Sequence, residues 1–106
     1  MQRLEIIKNL LLDVSKNVFH YEAPNGQKGD YIVYQEDGEG NSFSSDNRKE
    51  CQSITGTIDL FSFDEHCGLF DLIQKKLNEN SISFTFVDAS YDADTHLINW
   101  QWDFEV

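Results

Sequence analysis

Lysine and arginine are scarce in this chain, eight against nineteen aspartates and glutamates, for a formal net charge of −11 at pH 7. Binding to a phosphate backbone rests on neutralisation by basic side chains, and the sequence has no basic cluster to supply it. A direct reader of nucleic acid or of anionic lipid is therefore disfavoured. Long apolar runs are missing too. Arg3 and Lys8 open the chain, and Glu5, Asn9 and Asp13 interrupt the apolar residues around them, so no stretch reads as a secretory core or a membrane span. The expectation is a soluble protein made in the cytoplasm. Cysteine is limited to Cys51 and Cys67, too few for a disulfide framework, and both read as thiols in a reducing compartment.

The motifs of common chemistries are absent as well. Gly38 and Gly40 are not followed by a lysine and a helix, so they do not make a phosphate loop, and there is no G-x-S-x-G elbow. Cys51, His66, Cys67 and His96 lack the close paired spacings that preorganise a tetrahedral metal site. Asp88, Asp92 and Asp94 lack the spacing and the bidentate glutamate of a calcium loop, and read as turn residues. Asp64, Glu65, His66 and Cys67 fall together where a helix is expected to start, a place that stabilises a thiolate. Neighbours in a helix do not face one another, however, so no base is positioned on a nucleophile. The cluster reads as a helix start with Asp64 as N-cap, whose removal would cost about 1 kcal/mol. No enzymatic activity, cofactor or metal is expected.

What is present is a globular pattern, 40% hydrophobic and 13% aromatic, of a size that suits one domain over 1–106. The strongest local signals run from Cys51 to Asn80. Ile54, Ile58 and Leu60 alternate with Thr55, Thr57 and Asp59, the period of a strand, expected from Cys51 to Phe63. Leu69, Phe70, Ile73 and Leu77 then form one apolar stripe of a helix expected from about Asp64 to Asn78. Upstream, Leu4, Ile7, Leu10, Leu11 and Val14 stripe a first helix from Arg3 to Lys16. Val18 to Tyr21 is a short extended piece, Ala23 to Gly29 a turn region, and Tyr31 to Gln35 a compact strand.

From Glu36 to Glu50 apolar periodicity is lost, and Phe43 is the only large apolar residue. This reads as a long flexible loop, or as an arm that orders on a neighbouring subunit through Phe43. Downstream, Ile82, Phe84 and Phe86 alternate into a strand, Asp92 to Thr95 form a turn, and Ile98, Trp100, Trp102, Phe104 and Val106 occupy one face of a last strand. Trp100 and Trp102 fit a core best, and, as the second reading, the large amphipathic anchors of an interface, because a domain this small has limited room for all the large residues of this face. The expected fold is α+β, a mainly antiparallel sheet of about four to five strands with two helices on one face and a long loop between the second and third strands.

In this layout the chain resembles the small tail-completion, or head–tail joining, proteins of long-tailed bacteriophages and prophages, also labelled minor capsid or minor tail proteins. The resemblance rests on the N-terminal amphipathic helix and on the strand Tyr31-Ile32-Val33-Tyr34. It rests further on Ser45-Asp46-Asn47 ending a polar loop, on Ile58-Asp59-Leu60-Phe61 before the second helix, and on the closing alternating strand. It implies a tail-terminator-like domain and a non-enzymatic role in the virion. Such proteins form rings, commonly hexameric, that complete the tail and meet the head connector. The expected partners are therefore other copies of the chain, the tail tube and the connector, with no sequence-specific nucleic-acid contact and no membrane. Localisation is expected in the virion, and in the host cytoplasm during assembly.

A ring needs patches that close by rotation, and Phe43, Asp46, Asn47, Trp100 and Trp102 are the interface candidates. Carboxylates lining the hole would let DNA pass without sticking. The alternative reading is a monomeric acidic binding protein, such as a DNA mimic that occupies a basic cleft on a host protein.

Overall fold

The apolar stripe of the first helix and the alternation of the last strand meet in one core in the computed structural model, which describes residues 2–27, 29–39 and 53–106. The elements are α1 (Gln2–Leu12), β1 (Val18–His20), β2 (Tyr31–Glu39), β3 (Ile54–Ser62), α2 (Leu69–Glu79), β4 (Ser83–Asp92) and β5 (Leu97–Glu105). The strands form a five-stranded sheet in the order β1-β2-β3-β5-β4, antiparallel except where β1 runs parallel to β2. The fold is thus α+β, with a mostly antiparallel sheet and two helices.

Register explains why the core lies on one side. Ile32 is paired with Leu60, and Leu60 with Trp100; Tyr34 is paired with Ile58, and Ile58 with Trp102. Side chains directly opposite one another share a face, so these residues form one apolar surface. Leu4, Ile7, Leu10 and Leu11 of α1 and Ile73 and Leu77 of α2 are buried in the same cluster, which places both helices on that surface. Trp102 lies at its centre, fully buried, with Nε1 donating to Gln74 Oε1 of α2 at 3.1 Å. Phe70 of α2 packs on it with ring centroids 5.1 Å apart. Both apolar stripes read from the sequence therefore face the core. Among the described residues, no helix is long and apolar enough to cross a membrane.

Several boundaries differ from expectation for identifiable reasons. The second helix begins at Leu69, not at Asp64. The Asp64 amide donates to Ser62 Oγ, and Asp64 Oδ1 accepts from the His66 amide at 2.9 Å. The carboxylate therefore closes a local turn, an alternative use of the same chemistry that makes aspartate a helix cap. Gly68 holds the N-cap position with no side-chain hydrogen bond, so Asp64 is not the cap of α2. The first helix ends at Leu12, and Asp13 and Val14 continue as a turn whose amides donate to Asn9 O and Leu11 O.

Strand β2 continues four residues beyond Gln35, into the stretch expected as loop. It stays paired through Glu36 with Gly56 and Gly38 with Thr55, with an irregularity between Glu36 and Gly38, where Asp37 Oδ1 accepts from Thr55 Oγ1 at 2.8 Å. Strand β4 likewise extends past Phe86 to Asp92, as an irregularity between Phe86 and Asp88 shifts its alternation. Strand β3 is described from Ile54, while Cys51, Phe43, Asp46, Asn47 and the rest of the expected arm fall outside the described residues.

The link from β1 to β2 must return the chain to the same end of the sheet. Tyr21, Gly26 and Gly29 take positive φ there, of 75°, 82° and 79°, which is routine for glycine and uncommon for tyrosine. Ala23, Pro24 and Gln27 of this link line a recess of about 550 Å³ with Val33, Asp59 and Phe61 on the sheet face opposite the helices.

Candidate interaction surface

Among the described residues, three of the five exposed large apolar side chains outside the helices, Phe86, Val87 and Tyr91, lie on the β4–β5 hairpin; the other two are Tyr21 and Phe63. β4 pairs with β5 on one side, and among the described residues no strand lies on its other side. Only Phe84 within β4 is half-buried; the rest is exposed. Phe86 is 42%, Val87 48% and Tyr91 61% exposed. Phe86 makes an edge-on contact with Phe70 at 5.4 Å and leans on Trp102 at 5.8 Å, so its inner half belongs to the core and its outer half to the surface. Trp100, half-buried on the same face, lies 6.3 Å from Phe70. Tyr91 is fixed near the turn by a 2.9 Å hydrogen bond between its hydroxyl and His96 Nδ1.

These positions sort the interface candidates. Trp102 is a core residue with no surface of its own to offer, because the helices enclose it. Trp100 keeps a partly exposed ring. Phe43, Asp46 and Asn47 lie outside the described residues. Sequence periodicity does not single out Phe86, Val87 and Tyr91 as surface residues, although the run of Phe84, Phe86 and Val87 carries one more apolar residue than a strict alternation allows.

Opposite the helices the sheet carries acids toward β4 and β5, and an aromatic pair toward β2, Tyr31 stacked on Phe61 at 4.6 Å. Asp59 and Asp88 each pair in register with Gln101, and Asp103 pairs with Thr57 on one side and Thr85 on the other. Burial raises the pKa of Asp59; Asn99, donating to Oδ1 at 3.3 Å, opposes the rise, and the charge of Asp103 adds to it. Thr57 Oγ1 is buried beside these acids with no hydrogen-bond partner among the described residues. Neither β4 nor β5 contains a lysine or arginine, so nothing within the hairpin neutralises its carboxylates.

A second cluster lies at the opposite edge. His20 stacks between Tyr21, at 4.0 Å, and Tyr34, at 4.7 Å, and its Nε2 lies 2.8 Å from Glu36 Oε1. Glu36 also accepts from the Tyr21 hydroxyl. That bond is the main reason its pKa is lowered to about 2, with backbone and His20 bonds contributing and partial burial opposing. The same carboxylate raises the Tyr21 pKa, and burial raises that of Tyr34. The left-handed backbone of Tyr21 is what brings its ring back over His20, a local strain held by its amide bond to Tyr34 O at 3.0 Å.

The stretch from Asp64 to Cys67 does not converge. Glu65 and His66 are highly exposed, 3.6 Å apart, whereas Cys67 is buried with Sγ 3.6 Å from Asp30 Oδ2. No base faces the thiol from its own turn. Among the described residues, no group of three or more His, Cys, Asp or Glu is placed to hold a metal ion. Compared with models of known protein families and with curated proteins, the chain matches none.

Proposed function

We propose that this protein is a non-enzymatic structural component of a phage or prophage virion, acting at the head–tail junction as a ring of identical subunits that completes the tail and meets the head connector. The observation that supports this reading most is the exposed aromatic and apolar surface of the hairpin, Phe86, Val87, Tyr91 and the edge of Trp100, on an otherwise acidic chain. Large amphipathic side chains of this kind dominate association energies when a neighbour covers them. The sheet with two helices on one face also agrees with the fold that the resemblance implies. In such an assembly the rigid frame of β3, β5 and α2 holds subunit shape, and contacts rather than catalysis carry the function.

The test is genetic and morphological. Phage particles produced without this protein, imaged by electron microscopy, should separate into filled heads and unjoined tails. Normal joined particles would overturn the proposal, as would a gene neighbourhood that holds no head or tail genes.

A second reading is favoured by one observation, the acids Asp59, Asp88 and Asp103 spread over the open sheet face. A monomeric acidic protein that occupies a basic cleft on a DNA-binding host protein would present such a face. Competition with DNA for that host protein, in the absence of any defect in particle joining, would favour it over the virion role.

A further inference from the structure

We propose that the free edge of β4 is a docking site for an extended segment of a different protein, one in which apolar residues alternate with lysine or arginine, added to the sheet beside β4.

An exposed strand edge presents a row of unpaired amides and carbonyls, and proteins usually blunt it with proline, lysine, a bulge or a short length. β4 is ten residues long and has neither proline nor lysine. Its one interruption, between Phe86 and Asp88, leaves regular pairing with β5 on both sides, from Ser83 to Phe86 and from Asp88 to Asp92. That geometry suits strand addition, where main-chain bonds hold the segment and alternate side chains give specificity.

The two faces of the edge define the chemistry of the occupant. On the helix side, Phe86 and Tyr91 are exposed large rings, and an apolar side chain on an added strand would lie against them. On the open side, Asp88 and Asp92 stand on the edge strand, and Asp103 lies one strand further in. A segment facing them gains from positive charge at every second residue.

The same charges argue against edge-to-edge pairing with the β4 of a second copy, and leave untouched a ring contact in which the hairpin meets a different patch of its neighbour. Pairing of β4 with β4 would bring Asp88 and Asp92 of each copy together, with no lysine or arginine in either hairpin to separate them, and each chain carries a net −11. Like charges directly opposite in a sheet are destabilising. A heterotypic, basic segment satisfies both faces of the edge where the β4 of a second copy satisfies only one. The inference concerns this edge alone and does not depend on ring formation. Peptide binding can persist if particle joining proves normal, and can fail while joining is lost.

The experiment uses the whole chain, isotope-labelled, and three synthetic peptides matched in length to the ten residues of β4. They are an alternating Lys–Val peptide, an alternating Glu–Val peptide, and one with the same lysines and valines in two separate blocks. Binding and amide hydrogen exchange are followed by NMR. The alternating basic peptide should bind and slow exchange of β4 amides, while the acidic one should do neither. The Asp88→Lys and Asp92→Lys double variant, altered only at exposed positions, should weaken that binding about tenfold or more and let the Glu–Val peptide bind. Equal binding of the blocked peptide, or protection confined to residues outside β4, would overturn the proposal in favour of charge attraction without strand addition. Concentration-dependent protection of β4 without any peptide would overturn it in favour of a second copy.

Discussion

At one edge of the sheet the three residues of β1 are followed at once by Tyr21, whose ring folds back over His20 while its hydroxyl reaches Glu36. At the other edge the ten residues of β4 run almost wholly exposed, with Phe86, Val87 and Tyr91 uncovered. The first edge is short, parallel-paired and flanked by the stacked rings of His20, Tyr21 and Tyr34. The second is long, antiparallel and rimmed by carboxylates. Sheets expose edges only at the risk of association, and among the described residues β4 is the longer and more apolar of the two uncovered stretches, the other being the outer side of β2 beyond Tyr34. The comparison is why the proposed contact is placed at β4, while the polar cluster at β1 serves the subunit's own stability.

Between the two edges lies the residue that ties them to one core. Trp102 pairs with Ile58 and Phe86, packs on Phe70 and bonds Gln74. Trp102→Ala should cost about 3–5 kcal/mol by cavity formation and loss of apolar contact. Chemical denaturation would read that loss, and hydrogen exchange should show both edges opening together. Loss of protection at β4 alone would mean that the two edges unfold as separate units.

A smaller effect is expected one step toward β2. A Cβ at Gly56 would overlap Gln35 O and lie 2.6 Å from Phe104 Cζ. Glycine is needed there so that the Phe104 ring can lie over the strand. Gly56→Ala forces backbone movement in the middle of the sheet and should destabilise by about 2 kcal/mol. Denaturation within experimental error of the parent protein would mean that the β2–β3 register is looser than its pairing implies.

The elements most legible in the sequence are those whose periodicity is undisturbed. Trp100, Trp102 and Phe104 alternate without interruption, and Ile73 and Leu77 repeat at helical spacing, so one face of each was readable. Asp64 was not, because a carboxylate closing a turn before a helix and one capping the helix look alike in sequence. The second half of β2 is hidden by Glu36, Asp37 and Gly38, polar residues held in a strand only by their partners on β3. The far half of β4 is hidden by the irregularity at Val87 and by its edge position, which removes the burial that makes alternation visible. For the same reason Trp100 stands out in the sequence as a surface candidate while Phe86 and Tyr91 do not. The positive φ of Tyr21, where the chain leaves β1, is announced by no local pattern.

The covered edge can be probed through its carboxylate. Tyr21→Phe removes the bond that most lowers the Glu36 pKa while keeping the ring over His20, so the Glu36 pKa, followed by NMR titration, should rise from about 2 toward its ordinary value. A carboxylate whose folded pKa is depressed contributes stability that is complete above its unfolded pKa and lost as pH falls through the folded one. The contribution should therefore be full above about pH 4.5 and fade toward pH 2 in the parent protein. In Tyr21→Phe, and more fully in Glu36→Gln, the pH dependence of stability across that window should flatten. An unchanged Glu36 titration would mean that His20 and the backbone hold the carboxylate without Tyr21.

The smallest effect on stability is expected at the open edge, where the comparison is most exposed to failure. Val87 stands at the irregularity of β4, 48% exposed and unpaired in the register with β5. If this edge serves contact and not the monomer's own packing, Val87→Ser should change stability by no more than about 0.5 kcal/mol, as surface substitutions usually do. The parent and variant would be compared by denaturant unfolding under identical conditions. A cost of about 1 kcal/mol or more would show that Val87 packs within its own subunit, and the asymmetry between the edges would then be one of length alone. With stability unchanged, any loss of partner binding by the same variant would belong to the interface, because the fold that presents β4 would be intact.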